Sequence, residues 1–388
     1  MTTSHWFRPH SFKTPDITAD VLIVGAGYLG LSTAYWISEY RPDLKIVIVD
    51  RSHCGAGASG RNAGFLTKGS ATFYKSLTKD WGKERALSIL NFSKESLQLV
   101  HQHILKSSPE LKFEKTTSLT LFQNESDLLS WRDPEFQPEE FGFEWKENES
   151  IASTIRKKFV GAFESGPEFK INPVQFLGSL RTMLEARKIQ IHENLSAFEL
   201  HAEGVATELN FIKAKQVVLA LNGYAPQFHP SFGDLIKPSR AQMLAVELED
   251  DIDSMSLHYD SPERVYWRRA QDKILLIGGK RLLDESGEVG DYEKLSSAIQ
   301  SGLEEYLKRT LQIRYKVIHR WSGTMGFTQH ELPFVTRVEA PLETYFIGGF
   351  SGHGMGFGFR SAQDLAELLT GKNGQPFFAS FASAKIVL

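Results

Sequence analysis

The sequence predicts an α/β protein in which a Rossmann-like domain carries an inserted antiparallel α+β domain. Three observations support this. A strand, a glycine turn, a helix and a second strand follow one another within residues 20–50, a similar strand, turn and helix span 344–371, and short strands separated by turn residues lie between them at 244–279. Strand–turn–helix–strand units form parallel sheets, whereas short strands joined by tight turns form antiparallel ones. The 388 residues suffice for two to three domains of about 150 residues each.

The individual elements follow from apolar runs and their boundaries. A continuous β-branched run ended by glycine is typical of a buried strand, and proline in a first turn marks a helix start. The acidic, aromatic segment 133–149 is predicted to be a surface loop. In chain order, the patterns predict a strand at 20–25, helix 29–40, strand 45–50, helix 81–103, strand 116–123, a helix from Asn172-Pro173, strands 216–221, 264–268, 273–278 and 344–348, and a helix that ends at Gly371.

Composition excludes several classes of protein. The 44 basic and 47 acidic residues leave a net charge of −3, which gives no support for binding nucleic acid or an anionic membrane. The single cysteine, Cys54, excludes an intrachain disulfide and a cysteine-rich metal site, and the histidines show no metal-ligand spacing. The N-terminus lacks a secretory pattern, and no apolar run approaches the roughly 20 residues of a membrane span. We therefore expect a cytoplasmic protein with no metal, no nucleic-acid partner and no membrane span.

The first glycine turn carries the clearest chemical signal. Gly25-Ala-Gly27-Tyr-Leu-Gly30 matches G-x-G-x-x-G between a strand and a helix, and Asp50 follows Gly30 by twenty residues at the tip of the next strand. In this pattern Gly25 allows the turn, Gly27 lets a pyrophosphate approach the backbone, Gly30 lets the helix pack on the sheet, and Asp50 suits a ribose. The motif predicts a site for NAD or FAD. The alternative is a tight structural turn without a ligand.

Two further stretches are rich in glycine and small polar residues. Residues 55–64 read Gly-Ala-Gly-Ala-Ser-Gly-Arg-Asn-Ala-Gly, and residues 348–356 read Gly-Gly-Phe-Ser-Gly-His-Gly-Met-Gly. Free amides in such turns bind phosphates or a planar ring, and Arg61 adds a charge. Two distant turns of this kind favour one extended ligand held at both ends, and FAD is long enough. An NAD(P)-dependent dehydrogenase explains only the first motif, and residues 55–64 alone are also compatible with an unliganded surface loop.

In this order, the three stretches resemble the D-amino-acid-oxidase-like FAD-dependent oxidoreductase superfamily over about residues 20–371. Residues 57–62 and 349–354 look most similar to the branch that contains gamma-glutamylputrescine oxidase, sarcosine oxidase and glycine oxidase. The resemblance implies FAD, an amine or amino-acid substrate, and O2 or another electron acceptor. It also implies a glutathione-reductase-type, Rossmann-like FAD-binding domain made of residues 17–80, 151–232 and 320–380, with an inserted substrate domain made of residues 81–150 and 233–319.

Motif and resemblance together assign the candidate site residues. Asn222 is included because Ala220-Leu-Asn222-Gly-Tyr224 is similar to a family signature at a strand end. The candidate catalytic residues are His353, beside the second turn, and Tyr266 and Arg268, which share one face of a strand because they lie two apart. The alternative roles are a histidine that only satisfies backbone groups and a solvated cross-strand pair. The candidate cofactor-binding residues are Gly25, Gly27, Tyr28, Gly30, Asp50, Arg51, Gly57, Ala58, Ser59, Arg61, Asn62, Ala63, Gly64, Asn222, Gly323, Gly349, Ser351, Gly352, His353, Gly354 and Met355.

The chain departs from the family at the substrate side. Met325, in Gly323-Thr-Met325-Gly326, stands where the resemblance places both a carboxylate-binding arginine and, in sarcosine oxidase, a flavin-attaching cysteine. We therefore expect noncovalent FAD and poor oxidation of glycine or sarcosine, because a buried carboxylate needs paired charge. Substrates whose carboxylate lies farther from the oxidised carbon are expected to bind better, with Arg268 or Arg360 meeting the acid.

The resulting hypothesis is oxidation of a carbon–nitrogen bond. Hydride passes from the carbon that bears nitrogen to flavin N5, and water hydrolyses the imine. Positioning of a deprotonated amine supplies much of the rate without a dedicated base. Two alternatives stay open: an NAD(P)-dependent dehydrogenase, and a flavin-binding protein without turnover of its own.

Overall fold

The protein is described from a computed structural model, in residues 17–129, 131, 134–151, 158–250, 252, 255–381 and 386–388. Within these residues the strands form two sheets, one of eight strands and one of nine. The strands are β1 (Ile17–Val24), β2 (Ile46–Val49), β3 (Phe65–Leu66), β4 (Phe113–Phe122), β5 (Glu144–Glu147), β6 (Gly161–Ile171), β7 (Gln190–His192), β8 (Ala197–His201), β9 (Gly204–Thr207), β10 (Phe211–Leu219), β11 (Lys237–Leu248), β12 (Leu257–Asp260), β13 (Val265–Gln271), β14 (Ile274–Gly279), β15 (Tyr315–Phe327), β16 (Phe334–Val338) and β17 (Glu343–Gly348).

The helices cover the faces of the two sheets. The α-helices are α1 (Tyr28–Tyr40), α2 (Ala58–Arg61), α3 (Ala71–Trp81), α4 (Lys83–Val100), α5 (Glu125–Leu129), α6 (Pro173–Ala186), α7 (Ala225–Phe228), α8 (Ser297–Tyr306) and α9 (Gly354–Leu369). Single π-turns, at His101–Leu105 and Leu307–Leu311, extend α4 and α8. Short 3-10 helices lie at Pro138–Phe141, Asn148–Ser150, Asn222–Tyr224, Pro230–Phe232, Arg281–Asp284 and Phe377–Phe381. No helix in the described part of the chain is long and apolar enough to cross a membrane.

The first sheet is the predicted parallel one. Its main order is β7-β2-β1-β10-β17-β16, in which β7, β2, β1, β10 and β17 run parallel and β16 closes the edge antiparallel. All four residues of β2 are buried, as expected for a β-branched strand covered on both faces. The indole N–H of Trp36 in α1 donates to the Phe359 carbonyl of α9 at 3.0 Å, so the helices that follow the two distant turns pack together.

The second sheet has the order β15-β11-β14-β13-β12-β4-β6-β3, with β5 added beside β6. The predicted strands 264–268 and 273–278 form the antiparallel pair β13–β14. One face of the sheet packs against α8 in a cluster that includes Trp267, Ile277 and Leu303. The opposite face is directed at the glycine-rich turns of the first sheet.

The two sheets divide the chain differently from the predicted domain segments. β6 lies in the predicted FAD-binding segment 151–232, yet it pairs with β4 along the second sheet. Most of β15 lies in the segment 320–380, and it pairs with β11 along its whole length. Conversely, α4 lies in the predicted substrate segment but packs on α9. The pairing of strands depends on contacts between distant segments of the chain. Glycine motifs contain no information about these contacts.

The prediction of a surface loop at 133–149 is wrong in its aromatic part, while Asp133 itself lies outside the described residues. Phe136, Phe141 and Phe143 are at most 1% exposed. Phe141 and Phe143 pack on the buried ring of Tyr74 at centroid distances of 5.7 and 6.1 Å. The acidic composition of the segment favoured a prediction of surface exposure. The three phenylalanine rings nevertheless point inward and belong to the core.

Candidate active site

Each glycine of the first turn stands where a side chain would meet a neighbouring atom. Gly25 has φ +112°, and a Cβ there would lie 2.6 Å from the Ala220 carbonyl oxygen. A Cβ on Gly30 would overlap the Gly25 carbonyl, so α1 packs against the turn only because Gly30 has no side chain. A Cβ on Gly27 would lie 3.0 Å from Ser59 Oγ. Glycine at position 27 thus lets Ser59 approach the turn closely, and Gly27 lines both of the cavities described below.

Hydrogen bonds hold this turn to its neighbours. The Tyr28 amide, in the first turn of α1, donates to Ser59 Oγ at 2.9 Å. The Asp50 carboxylate accepts from the Ala26 amide at 2.7 Å and from the Ser52 amide at 2.8 Å. The amino end of α1 carries the partial positive charge of the helix dipole, which attracts anions such as phosphate.

The loop at 55–64 is internally braced. Arg61 Nε donates to the Ala56 carbonyl at 2.7 Å, and its Nη2 forms a 2.7 Å ion pair with Glu293. Asn62 accepts from the Gly64 amide at 2.8 Å and donates to the Ser59 carbonyl at 2.7 Å. These contacts fix the backbone of the loop, which is therefore not an unsupported surface loop.

The C-terminal turn docks on the same region. Asn222 Oδ1 accepts from the Gly349 amide at 2.9 Å, and the Ser351 amide donates to the Gly326 carbonyl at 2.8 Å. A Cβ on Gly356 would overlap the Thr67 carbonyl oxygen. The structure thus brings together the three glycine-rich stretches that the sequence singled out.

Two adjoining cavities, of about 570 and 410 Å³, lie where these stretches meet. They share the lining residues Gly27, Ala58, Ser59, Arg61, Ala220 and Asn222. The predicted residues in the smaller cavity are Gly25, Gly27, Asp50, Arg51, Gly57, Ala58, Ser59, Arg61 and Asn222. Those in the larger cavity are Gly27, Tyr28, Ala58, Ser59, Arg61, Asn62, Ala63, Asn222, Tyr266, Gly323, Gly352, His353, Gly354 and Met355.

Five predicted residues line neither cavity. Four of them, Gly30, Gly64, Gly349 and Ser351, shape the turns from behind. The fifth, Arg268, is 5% exposed, and its guanidinium donates to the main-chain carbonyls of Ala63 and of Ile171, the latter at 2.8 Å.

The side chain of Arg268 is thus committed to joining the loop at 55–64 to β6. Arg268 shares a strand face with Tyr266 as predicted, but the loop at 55–64 covers the Arg268 side chain. The structure gives no support to a contact between Arg268 and the substrate. Arg360 also lines neither cavity and pairs with Asp364 and Glu95.

His353 lies at the start of α9 in the larger cavity. Its ring stacks on Phe73 at a centroid distance of 3.9 Å, and its Nδ1 has no hydrogen-bond partner in the described part of the chain. Burial lowers the pKa of His353 to about 4, so the ring is neutral at physiological pH.

Tyr266 belongs to a row of residues across the second sheet. Tyr259, Tyr266, Gly278 and Met243 are successive register partners, and three of them line the larger cavity. A Cβ on Gly278 would lie 2.6 Å from the Tyr266 ring, so glycine leaves room for that ring. Burial raises the pKa of Tyr266 to about 12, which keeps its hydroxyl protonated.

Sequence reasoning missed several charged residues in the larger cavity. Arg264, Arg281 and Glu331 line it on the side of the second sheet, and Lys68 lines it beside the loop at 55–64. Lys68 is 4% exposed, and its main-chain amide donates to an oxygen of the buried Glu168 carboxyl group at 3.0 Å. One signal was available: Arg264 and Arg281 flank the two strands predicted at 264–268 and 273–278.

The cleft fits an extended dinucleotide. It joins the Asp50 carboxylate at a strand tip, the glycine turn before α1 and a wider chamber between the two sheets. Ligands bind at the carboxyl ends of parallel strands in such sheets. The fold and cleft are those of a dinucleotide-binding protein whose larger cavity is bordered by a second sheet.

The comparison with known families makes this specific. The family model for FAD-dependent oxidoreductases (DAO) matches residues 20–368, and the chain belongs to that family. FAD is therefore the cofactor, and the NAD(P)-dependent alternative is not supported.

Relatives and solved structures agree with this assignment. The chain is 24% identical to gamma-glutamylputrescine oxidoreductase of Escherichia coli K12, covering 94% of this chain and 87% of that protein. It is 24% identical to the probable oxidoreductase OrdL of Haemophilus influenzae, covering 95% and 88%. The fold is similar to L-proline dehydrogenase from P. horikoshii (TM-score 0.76, 16% identity, 94% and 96% covered) and glycine oxidase from Bacillus cereus (TM-score 0.75, 16% identity, 93% and 99% covered).

Proposed function

We propose that this protein oxidises a carbon–nitrogen bond of an amine or N-substituted amino acid, with noncovalently bound FAD as the hydride acceptor. The observation that carries the proposal is the continuity of the two cavities. A glycine-lined cofactor cleft opens, through Arg61 and Asn222, into a chamber lined by Tyr259 and Tyr266. The names of the relatives, a gamma-glutamylputrescine oxidoreductase, a proline dehydrogenase and a glycine oxidase, support an amine or amino-acid substrate.

The cavities suggest how the cofactor lies. The smaller one suits the adenosine end, because Asp50 is the ribose-type carboxylate of the motif. Gly27 and Ser59 lie at the junction, where the amino end of α1 favours the pyrophosphate. The residues that would hold the flavin ring line the larger cavity, among them Ala63 of the loop at 55–64 and Gly354 of the C-terminal turn.

Noncovalent attachment is supported by the side chains near this cleft. Met325 lines the larger cavity at the predicted position, and a thioether there has no thiolate to offer. Cys54 lines neither cavity; its thiol donates to the Ala26 carbonyl at 3.3 Å, and burial raises its pKa to about 11. Neither side chain is suited to a bond with the flavin.

The protein's own residues orient and select the amine. When bound, FAD would supply the hydride acceptor for the carbon next to nitrogen, and water would hydrolyse the imine product to a carbonyl compound and an amine. The neutral His353 ring places no positive charge against an approaching amine. The Tyr266 ring offers an aromatic face to it, and aromatic faces attract ammonium groups. Positioning of the amine in this chamber supplies the rest of the rate enhancement.

The proposal is tested in two steps on the purified protein. Absorption bands near about 370 and 450 nm are expected for bound flavin. Anaerobic mixing with a panel of amines and N-substituted amino acids should then bleach the longer-wavelength band, and glycine and sarcosine should bleach it slowly. A yellow protein that no amine reduces would instead indicate a flavin-binding protein without turnover.

A further inference from the structure

A short exposed segment, residues 291–295, borders the smaller cavity, and we call it the latch. It belongs to the connection between β14 of the second sheet and α8. Glu293 lines the smaller cavity, yet its side chain is 50% exposed. Asp291 is half-buried, and the other four residues of the latch are exposed. The latch therefore lies between the cofactor cleft and solvent with little burial of its own.

Two carboxylates tie the latch to the wall of the cofactor cleft. Glu293 forms a 2.7 Å ion pair with Arg61 Nη2. Asp291 accepts a hydrogen bond from Gln227 Nε2 at 2.6 Å, and Gln227 Oε1 in turn accepts from Arg51. Arg51, Arg61 and Gln227 all line the smaller cavity. Two carboxylates only two positions apart thus join a connection of the second sheet to two separate parts of the cleft wall.

The chain is fixed on either side of the latch. Before it, the Gly290 amide donates to the Pro238 carbonyl of β11 at 3.0 Å. After it, the Ser296 amide donates to Gln242 Oε1 at 3.1 Å. Gly290 has φ +136°, a conformation that glycine adopts without a steric penalty, so the chain can change direction there. The five residues between these anchors can move as one segment, because segments with few buried contacts open locally at low cost.

A buried arginine sets the closed position of the latch. The Arg240 side chain is 0% exposed, and its Nη1 donates to the Tyr292 carbonyl at 3.3 Å. The Arg240 guanidinium also lies 4.8 Å from the centre of the Tyr292 ring, which is itself 57% exposed. Arg240 therefore defines where the latch rests, and the two carboxylates hold it against the cleft wall.

We propose that the latch is the gate past which FAD enters and leaves the smaller cavity. Opening breaks the ties of Asp291 and Glu293 but leaves the wall in place, because Arg61 is still held by the Ala56 and Ser322 carbonyls at 2.7 and 3.3 Å. Both ties join protein groups to each other and not to the cofactor. Opening therefore costs the same with and without FAD, and the latch controls the rate of exchange more than the affinity. Because it concerns the cofactor alone, this gate is independent of which amine the protein oxidises.

Two isosteric variants test the gate. Glu293→Gln and Asp291→Asn each weaken one tie and keep the shape of the side chain. Release of FAD from the loaded protein on dilution, and its rebinding when FAD is added back, are followed by flavin fluorescence. Each variant should speed both release and rebinding about 2- to 5-fold, the range for one exposed charged contact, and the double variant about 10-fold. The dissociation constant for FAD should change less than either rate.

The matched control is Glu285→Gln, because Glu285 is exposed on the same connection and lines neither cavity. It should leave both rates as in the wild type. Faster release with unchanged rebinding would mean that the carboxylates only stabilise the loaded protein. Slower release would mean that Glu293 acts by repelling the phosphates of FAD. Either result, or unchanged rates in the double variant, would overturn the gate.

Salt distinguishes the two ties. The Glu293 tie is an exposed ion pair, which about 1 M NaCl screens, whereas the Asp291 tie has the uncharged Gln227 as its partner. The ratio of the Glu293→Gln rates to the wild-type rates should therefore fall toward one at high salt, and the ratio for Asp291→Asn should change less. An equal salt response of both ratios would contradict the assignment of the Glu293 effect to its ion pair with Arg61.

Discussion

Replacing Arg268 with methionine distinguishes a main-chain clamp from a substrate contact. Arg268→Met keeps the length of the side chain but leaves the Ala63 and Ile171 carbonyls without this donor. Each unsatisfied buried carbonyl costs about 1–3 kcal/mol, or about 2–6 kcal/mol for the pair. Part of this loss is offset, because burial lowers the pKa of Arg268 to about 10 and the buried guanidinium is itself unfavourable.

We expect a net loss of about 2 kcal/mol in the free energy of unfolding. For 388 residues, an unfolding entropy of about 2.1 cal/mol/K per residue converts this into a fall in Tm of about 2–3 °C. The larger effect should be on the cofactor, because Ala63 lines the cavity assigned to the flavin. The flavin content of the purified variant should fall, and added FAD should restore much of the Tm.

The assay is thermal unfolding with and without excess FAD, together with the ratio of flavin to protein absorbance. Arg309→Met controls for the loss of one positive charge, because Arg309 is 80% exposed and pairs with Glu305 away from both cavities. A variant with unchanged Tm and full flavin content, but with a raised half-saturating substrate concentration, would refute the clamp and return Arg268 to the substrate.

Three other predictions follow from individual contacts. Gly27→Val should purify without FAD, because its side chain would point toward Ser59 in the cleft; a variant that is yellow at full occupancy would contradict this. Acid precipitation should release the flavin into the supernatant, since Met325 has no thiolate, and flavin in the pellet would show a covalent bond. Burial raises the pKa of Glu168 from 4.5 to about 8, so the stability it contributes is complete below about pH 4.5 and is lost as the pH rises through 8. The Tm of Glu168→Gln relative to wild type should therefore be higher at pH 9 than at pH 6, and an equal difference at both would count against the buried carboxyl.

Local sequence carried the information on cofactor binding. Of the three glycines, only Gly30 is required by a contact within the turn, with the Gly25 carbonyl, whereas the contacts of Gly25 and Gly27 are with Ala220 and Ser59. The motif is still readable from the sequence, because a phosphate-binding turn between a strand and a helix has glycines at this fixed spacing. Apolar runs likewise marked β1, β2 and β17, whose faces are all covered. Most of the predicted cofactor residues belong to these glycine-rich turns, and they line the two cavities.

The substrate side was decided by contacts between distant segments. Arg268 and Tyr266 look equivalent on one strand, yet the loop at 55–64 covers one and leaves the other in the cavity. Sequence spacing predicted their shared face but contained nothing about that loop.

The sequence alone determined that this is an FAD-dependent oxidoreductase with one mainly parallel and one mainly antiparallel sheet. The glycine turns and the family resemblance carried that information. Tertiary structure decided which arginines are available to a ligand. Arg264 and Arg281 line the same cavity because β13 and β14 pair with Val265 opposite Gly279, and Glu331 lines it from the loop after β15. Register between strands depends on the packing of whole faces, so it is a property of the folded sheet and not of any local pattern.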